Sequence, residues 1–266
     1  MIPVERASKT WVEYSHRIST ALYGVLVLVQ IWLSRRCFTR RHPARFWAII
    51  TLIFTITEAL IGRQLVKSGL VNESTDTSRL LVMPLHVVNT SLLLFSGVMT
   101  AESIQYGDAP RQKLSPEIKR RGLLYLTGLT IVLGTGAIAA LGSHLLPSES
   151  LIHGLTHDLA PHSHPAVRLR ILHPALALAL PVLMLLFAQL SGIAVRSSSQ
   201  ARWYRRFSIT LVVAMGVGLA TLFLLAPVWL KLTHLLMTNI LVIVASLCVF
   251  HSLRPIPSPP QTETLV

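Results

Sequence analysis

The sequence predicts an all-α fold, a polytopic transmembrane helical bundle of about seven spans, and three observations carry that prediction. Of the 266 residues, 52% are hydrophobic and only 13% charged, with mean hydropathy +0.59. A soluble domain of this size carries about a quarter charged residues. Seven apolar runs, 16–34, 46–66, 80–101, 122–141, 169–195, 207–226 and 232–250, are each of a length that can cross ~30 Å of hydrocarbon as helix. The basic residues are segregated between these runs. Arg35, Arg36, Arg40, Arg41 and Arg45 follow the first; Arg111, Lys113, Lys119, Arg120 and Arg121 follow the third; Arg196, Arg202, Arg205 and Arg206 follow the fifth; Arg254 lies in the tail. These fifteen of the 24 basic residues fall on one side, which the positive-inside rule makes cytoplasmic. The N-terminus is then outside and the C-terminus inside.

The same observations exclude other classes. A net charge of +13 suits nucleic acid only when it forms a basic face on a soluble fold, so no nucleic-acid partner is expected. Cys37 and Cys248 are the only cysteines and sit in unlike surroundings, so neither a disulfide framework nor a CxxC site is expected. The opening MIPVERASKTWVEYSHR lacks the apolar core and small-residue cleavage site of a signal peptide. The longest connection, 142–168, reads as a hydrophilic outer loop.

Four of the eleven histidines fall at one depth. His16, His86, His173 and His234 each lie near the outer end of an odd-numbered span, and the even-numbered spans carry none. A polar ionisable side chain within a bilayer is costly and is usually retained for function. Any one of the four could be a histidine hydrogen-bonded to a neighbouring helix. Four at matching depth point instead to axial ligation of heme iron by neutral imidazole, in the core of a helical bundle.

The chain also reads as two pseudo-repeated halves, 1–110 and 111–266, each binding heme. His16 and His86 are 70 residues apart and His173 and His234 are 61 apart, each pair separated by one histidine-free span. VVNTSLLL follows His86 and LLMTNILV follows His234, aligning Thr90 with Thr238. The expected pairs are His16 with His86 and His173 with His234, two sites side by side in the outer half. A carrier of electrons across the membrane would instead stack its hemes toward opposite faces.

The halves differ one turn beyond the first histidine of each pair. Glu13 precedes His16 by three residues, and Arg170 precedes His173 by three. A guanidinium suits a heme propionate. A carboxylate can take a proton or stabilise developing positive charge. The Glu13 half is therefore assigned to reaction and the Arg170 half to a retained cofactor, although Glu13 also fits a carboxylate favoured by a helix start. Glu58, inside the second run, reads either as bonded to a neighbouring helix or Arg63, or as a contact or proton source in the reacting half. Arg63, Lys67, Arg79, Arg168 and Lys231 sit at outer helix ends, where snorkelling to headgroups is the default. His144, His153, His157, His162 and His164, with Asp158, make the outer loop histidine-rich without matching a zinc signature.

WVEYSHR opening a span resembles the glutamate-then-histidine-arginine motif of heme A synthases. EALIGRQLV, LHVVNTSLLL, LGTGAIAALGS and RLRILHP are similar to that family in turn, so the resemblance covers nearly the whole chain. It implies two similar four-helix halves and oxidation of the heme O ring methyl to a formyl group, with water as oxygen source, for terminal oxidase biogenesis. It implies Glu13 as the essential carboxylate, His16 and His86 about the substrate heme O, and His173 and His234 as ligands of a heme B cofactor. Heme O synthase and cytochrome oxidase assembly components are the implied partners, and a prokaryotic inner membrane the implied location. Family members have eight spans, and the helix before EYSHR is absent here. That points to a start further upstream or to a shortened lineage. The rival readings are a non-catalytic diheme cytochrome or heme-handling assembly factor, and a transporter using the histidines for coupling.

Overall fold

The computed structural model describes residues 4–70, 76–107, 116–190 and 198–252. Among these there are nine helices and no strand: α1 (Val4–Cys37), α2 (Pro43–Lys67), α3 (Arg79–Tyr106), α4 (Pro116–Leu145), α5 (Leu151–Leu159), α6 (Pro165–Arg170), α7 (Leu172–Leu190), α8 (Ser198–Phe223) and α9 (Val228–Ser252). Six of them, α1 to α4, α8 and α9, are long and apolar enough to cross a membrane. The fifth run is carried by α7, 19 residues long, with several of its side chains outside the described residues. Of the basic residues that set sidedness, Arg111, Lys113, Arg196 and Arg254 also lie outside them.

The seam between α2 and α3 is lined largely by small side chains. Buried Asn89, Leu93, Ser96, Thr100 and Ser103 repeat every three or four residues along α3 and so make one stripe. Ala44, Ala48 and Thr51 make the matching face of α2. Thr51 Oγ1 and Thr100 Oγ1 stand 3.3 Å apart across the seam. Small residues let two backbones approach closely in lipid, where burial of apolar surface drives nothing. Hydroxyls also return a bond to their own helix, as Thr100 does to Ser96 O at 2.8 Å. α8 and α9 pair instead around larger apolar side chains, Leu211 and Leu241 with Ala214 between them.

α3 and α9 meet and join the two ends of the chain. At the far end of both helices His251 Nε2 lies 3.3 Å from Glu102 Oε2, with Trp203 of α8 stacked on the His251 ring. α1 packs mainly on α2, through Val27, Ile31 and Ser34 at helical spacing. Its other faces expose Leu22, Val25, Leu26, Val29 and Trp32, an apolar surface fit for lipid.

Three sequence expectations change. α1 begins at Val4 rather than at residue 16, so Glu13 is more than two turns inside a helix and the helix-start explanation for it no longer applies. The run 169–195 is broken at Ile171, which separates α6 from α7. The outer loop is not unstructured: α4 runs on to Leu145, and α5 and α6 fill most of the rest.

The outer segment is pinned by one side chain. Arg170 Nε donates to Asp158 Oδ2 at 2.6 Å, Nη2 to Ser148 Oγ at 2.6 Å and Nη1 to the Leu146 carbonyl at 3.0 Å. Asp158 is buried, with 5% of its side chain exposed. Removing one partner of a buried pair leaves the other charge uncompensated, at about 3–5 kcal/mol. Asp158→Ala is therefore expected to lower the melting temperature of the purified protein by several degrees. An unchanged thermal unfolding curve in detergent would show that the fork does not hold this segment.

Candidate functional site

α7 and α9 each bring one imidazole to a common seam. His173 is the second residue of α7, and His234 lies two turns into α9. Their ring centroids are 6.2 Å apart with the planes at 66°. An iron bound by two imidazole nitrogens at about 2 Å each places the two centroids about 6 Å apart. The two imidazoles are thus spaced so that they would hold one iron between them.

Each ring is oriented by the helix beside it. His173 Nδ1 lies 3.2 Å from the Val132 carbonyl of α4, and a carbonyl only accepts. Nδ1 therefore carries the proton, leaving the Nε2 lone pair for a metal. The His173 ring rests on Gly136, one turn along α4, where an added Cβ would stand 3.0 Å from Cε1. His234 repeats only the glycine contact, with Gly218 of α8 where a Cβ would stand 2.9 Å from Cε1; its buried Nδ1 makes no hydrogen bond, although the Ala214 carbonyl lies on the same side. Gly136 falls in the LGTGAIAALGS segment quoted for its family resemblance, and Gly218 was not singled out from sequence. Their task is to admit an imidazole against helix backbone, and the missing signal was the position of the ring across the seam. Gly218→Val is accordingly expected to displace His234 and lower the heme content of purified protein severalfold. Gly216→Val, where a Cβ meets nothing within 4 Å, should not. Equal heme content in the two variants would contradict the packing role.

The first half is arranged differently. His86 lies two turns into α3, with Nδ1 3.5 Å from Glu58 Oε1 of α2. Glu58 accepts from Asn89 Nδ2 at 2.6 Å and from Thr90 Oγ1. Asn89 is fixed in turn by Thr57 Oγ1, which donates to its Oδ1 at 2.7 Å, and by the Phe54 carbonyl at 3.0 Å. Glu58 is thus bonded to the neighbouring helix α3, at the candidate substrate histidine, while Arg63 is exposed. Asn89 and Thr57 were not singled out from sequence, because a short polar residue in an apolar run has no periodic signature.

His16 and Glu13 lie on the exposed part of α1. Glu13 Oε1 takes Arg17 Nη2 at 2.5 Å, both side chains being more than half exposed. Among the described residues no contact joins His16 to His86. Arg170, expected at a propionate, is committed to Asp158, Ser148 and Leu146. Two histidines outside the four are helix caps: His42 Nδ1 accepts from Ala44 N at 3.2 Å and His164 Nδ1 from Ala166 N at 3.1 Å. His153 and His157 neighbour one another on α5, with ring centroids 6.3 Å apart. Among the described residues no three metal-ligating side chains gather at one point.

Fold and site together define a polytopic helical membrane protein with an imidazole pair spaced for one iron. The family of cytochrome oxidase assembly proteins (COX15-CtaA) matches residues 1–246. Two proteins from two strains of Thermus thermophilus, both named protoheme IX farnesyltransferase, are 32% identical to this chain over 241 residues, 89% of it and 39% of their own length. A heme A synthase of Shouchella clausii is 30% identical over 122 residues, 45% of this chain and 37% of its own. This chain therefore spans about two fifths of the length of these relatives. No solved structure matches. The chain belongs to the cytochrome oxidase assembly protein family that includes heme A synthase.

Proposed function

We propose that the protein is a heme A synthase, oxidising the ring methyl of heme O to a formyl group in two successive steps. The observation that carries the reading is the facing pair His173 and His234, spaced for one iron and set in a chain of this family. In this reading the half 111–266 retains heme B between His173 and His234. Bound there, the heme would supply one-electron redox capacity. Val132 sets the His173 ring, and Gly136 and Gly218 give both rings room. Arg170 acts by fixing the outer segment over this site, and its two unused N–H groups are left for a propionate.

The half 1–110 takes heme O between His16 and His86, with Glu13 near the methyl. Three supports bear on this assignment: the EYSHR motif, the polar network that holds Glu58 against His86, and the correspondence of Thr90 with Thr238. Glu13 holds a proton or stabilises positive charge at the reacting carbon. Water supplies the product oxygen, and each of the two steps releases two protons and two electrons, the electrons leaving one at a time by way of the heme B half to an electron acceptor outside the chain. The protein lies in the inner membrane of a prokaryote with its N-terminus outside. The similarity to proteins named for farnesyl transfer to protoheme supports a farnesylated heme as substrate and heme O synthase as its supplier, with oxidase assembly components downstream.

One observation favours a second reading. Because His16 and Glu13 lie on the exposed part of α1, a chain with a single resident heme and no turnover also fits. The hemes of protein purified from heme O-producing cells separate the readings. The proposed enzyme yields protoheme together with a farnesylated heme carrying a hydroxylated or formyl ring carbon. Protoheme alone would reject it in favour of a cytochrome. Protein without a Soret band would reject both and favour transport.

A further inference from the structure

The α2–α3 pair and the α8–α9 pair have the same layout. Each ends in a histidine-bearing helix, with Thr90 four residues after His86 and Thr238 four after His234. Thr238 donates to the His234 carbonyl at 2.8 Å, whereas Thr90 Oγ1, 3.0 Å from the His86 carbonyl, gives its one proton to Glu58. On the facing helix, Gly62 of α2 corresponds to Gly218 of α8 in EALIG and AMGVG. Four residues before each glycine stands the group beside the ring. At His234 it is the Ala214 carbonyl, and at His173 the equivalent group is the Val132 carbonyl, four residues before Gly136. At His86 it is the carboxylate of Glu58. His86 stands back from Gly62, where a Cβ would meet nothing within 4 Å, and turns its Nδ1 to Glu58.

The carboxylate is held in place for this. Asn89 and Thr90, three and four residues after His86 on the same helix, each donate to one of its oxygens. Thr57 locks Asn89. His86 Nδ1 is buried without a hydrogen bond, and Glu58 Oε1 stands 3.5 Å from it. Catalytic contacts of this length commonly tighten once the ligand is bound. A carboxylate inside a membrane helix is costly, so a network that retains one points to a task for its charge.

We propose that Glu58 is the positioning residue of His86: an anionic acceptor that fixes the Nδ1–H tautomer and makes Nε2 a stronger donor to the substrate iron than either ligand of the cofactor site. The inference rests on the reading above, in which His86 ligates heme O. Hydrogen bonding of a ligating imidazole to a carboxylate raises its basicity, and stronger donation favours the oxidised metal. The site that oxidises its heme has the anionic acceptor, and the site that retains one has neutral carbonyls. The asymmetry matches the division of labour.

The test uses the full chain carrying Glu13→Ala, purified from heme O-producing cells, so that heme O stays unconverted. The midpoint potentials of the two hemes are followed by their separate absorption bands. Adding Glu58→Gln keeps an acceptor for Asn89 and Thr90 but removes the charge. It is expected to raise the reduced-to-oxidised ratio of the heme O about tenfold at a fixed potential, 59 mV for one electron, with the heme B unmoved. Glu58→Met, of similar length and neutral, serves if the amide misfolds and should give the same shift. Glu58→Asp, which keeps the charge, should restore most of the original midpoint. An unmoved heme O midpoint, or equal shifts in both hemes, would overturn the role of Glu58. Absence of heme O from the chain with Glu58 intact would instead overturn the functional reading on which it stands.

Discussion

Glu13→Ala is expected to lower heme A formation at least 100-fold while both hemes remain bound. Removing one preorganised electrostatic group at a reacting centre typically costs that much. The structure makes the experiment interpretable. Glu13 is exposed on α1 and its charged partner is Arg17, an i,i+4 pair in which both side chains are more than half exposed. Such pairs contribute about 0–1 kcal/mol, so the variant should fold, insert and load heme as the parent does. Loss of product then reports on chemistry. Glu13→Gln should be as inactive as the alanine variant, because it keeps shape and polarity without a carboxylate. Unchanged heme A output from either variant would remove Glu13 from the reaction.

His173→Ala and His234→Ala are each expected to lose most of the heme B, since either change leaves one axial position unfilled. Loss of an orienting partner alone typically costs 10–100-fold in metal affinity, and loss of the ligand itself should cost at least that. The fold should persist. α7 and α9 are held by extended helix contacts, and neither histidine carries a bond between α7 and α9. The measurement is heme per chain by absorption after purification. Full occupancy in both variants would reject the pairing. A hexacoordinate spectrum in one of them would mean that another side chain had taken the ligand's place.

Hydropathy alone made the class of fold legible, because lipid leaves the backbone of a chain this apolar few choices but helix. The four histidines stood out for a related reason: an imidazole in an apolar run is conspicuous. The pairing of His173 with His234 could be read from their spacing within one half, which repeats that of His16 and His86 in the other. The orienting groups could not. Val132 acts through its carbonyl, which every residue has, and Gly136 and Gly218 act by what they lack. Arg170 was read as a free guanidinium because Asp158, its partner, lies twelve residues away in a segment taken for loop. That segment is helical because Ser150 caps α5 by accepting from His153 N at 3.1 Å, and His164 caps α6. The helix-start explanation of Glu13 failed for the opposite reason. Residues 4–15 are too polar to register as a span, yet continue α1 without a break.

The central claim, that this chain turns heme O into heme A, is tested most directly in cells that make heme O but have lost their own heme A synthase. The chain is expressed there, and the total hemes are extracted, separated and identified by mass. Heme A, accompanied by its hydroxylated precursor, is the predicted result, and Glu13→Ala expressed in parallel should yield neither. Heme O unchanged, in membranes that contain the chain loaded with heme B, would contradict the claim.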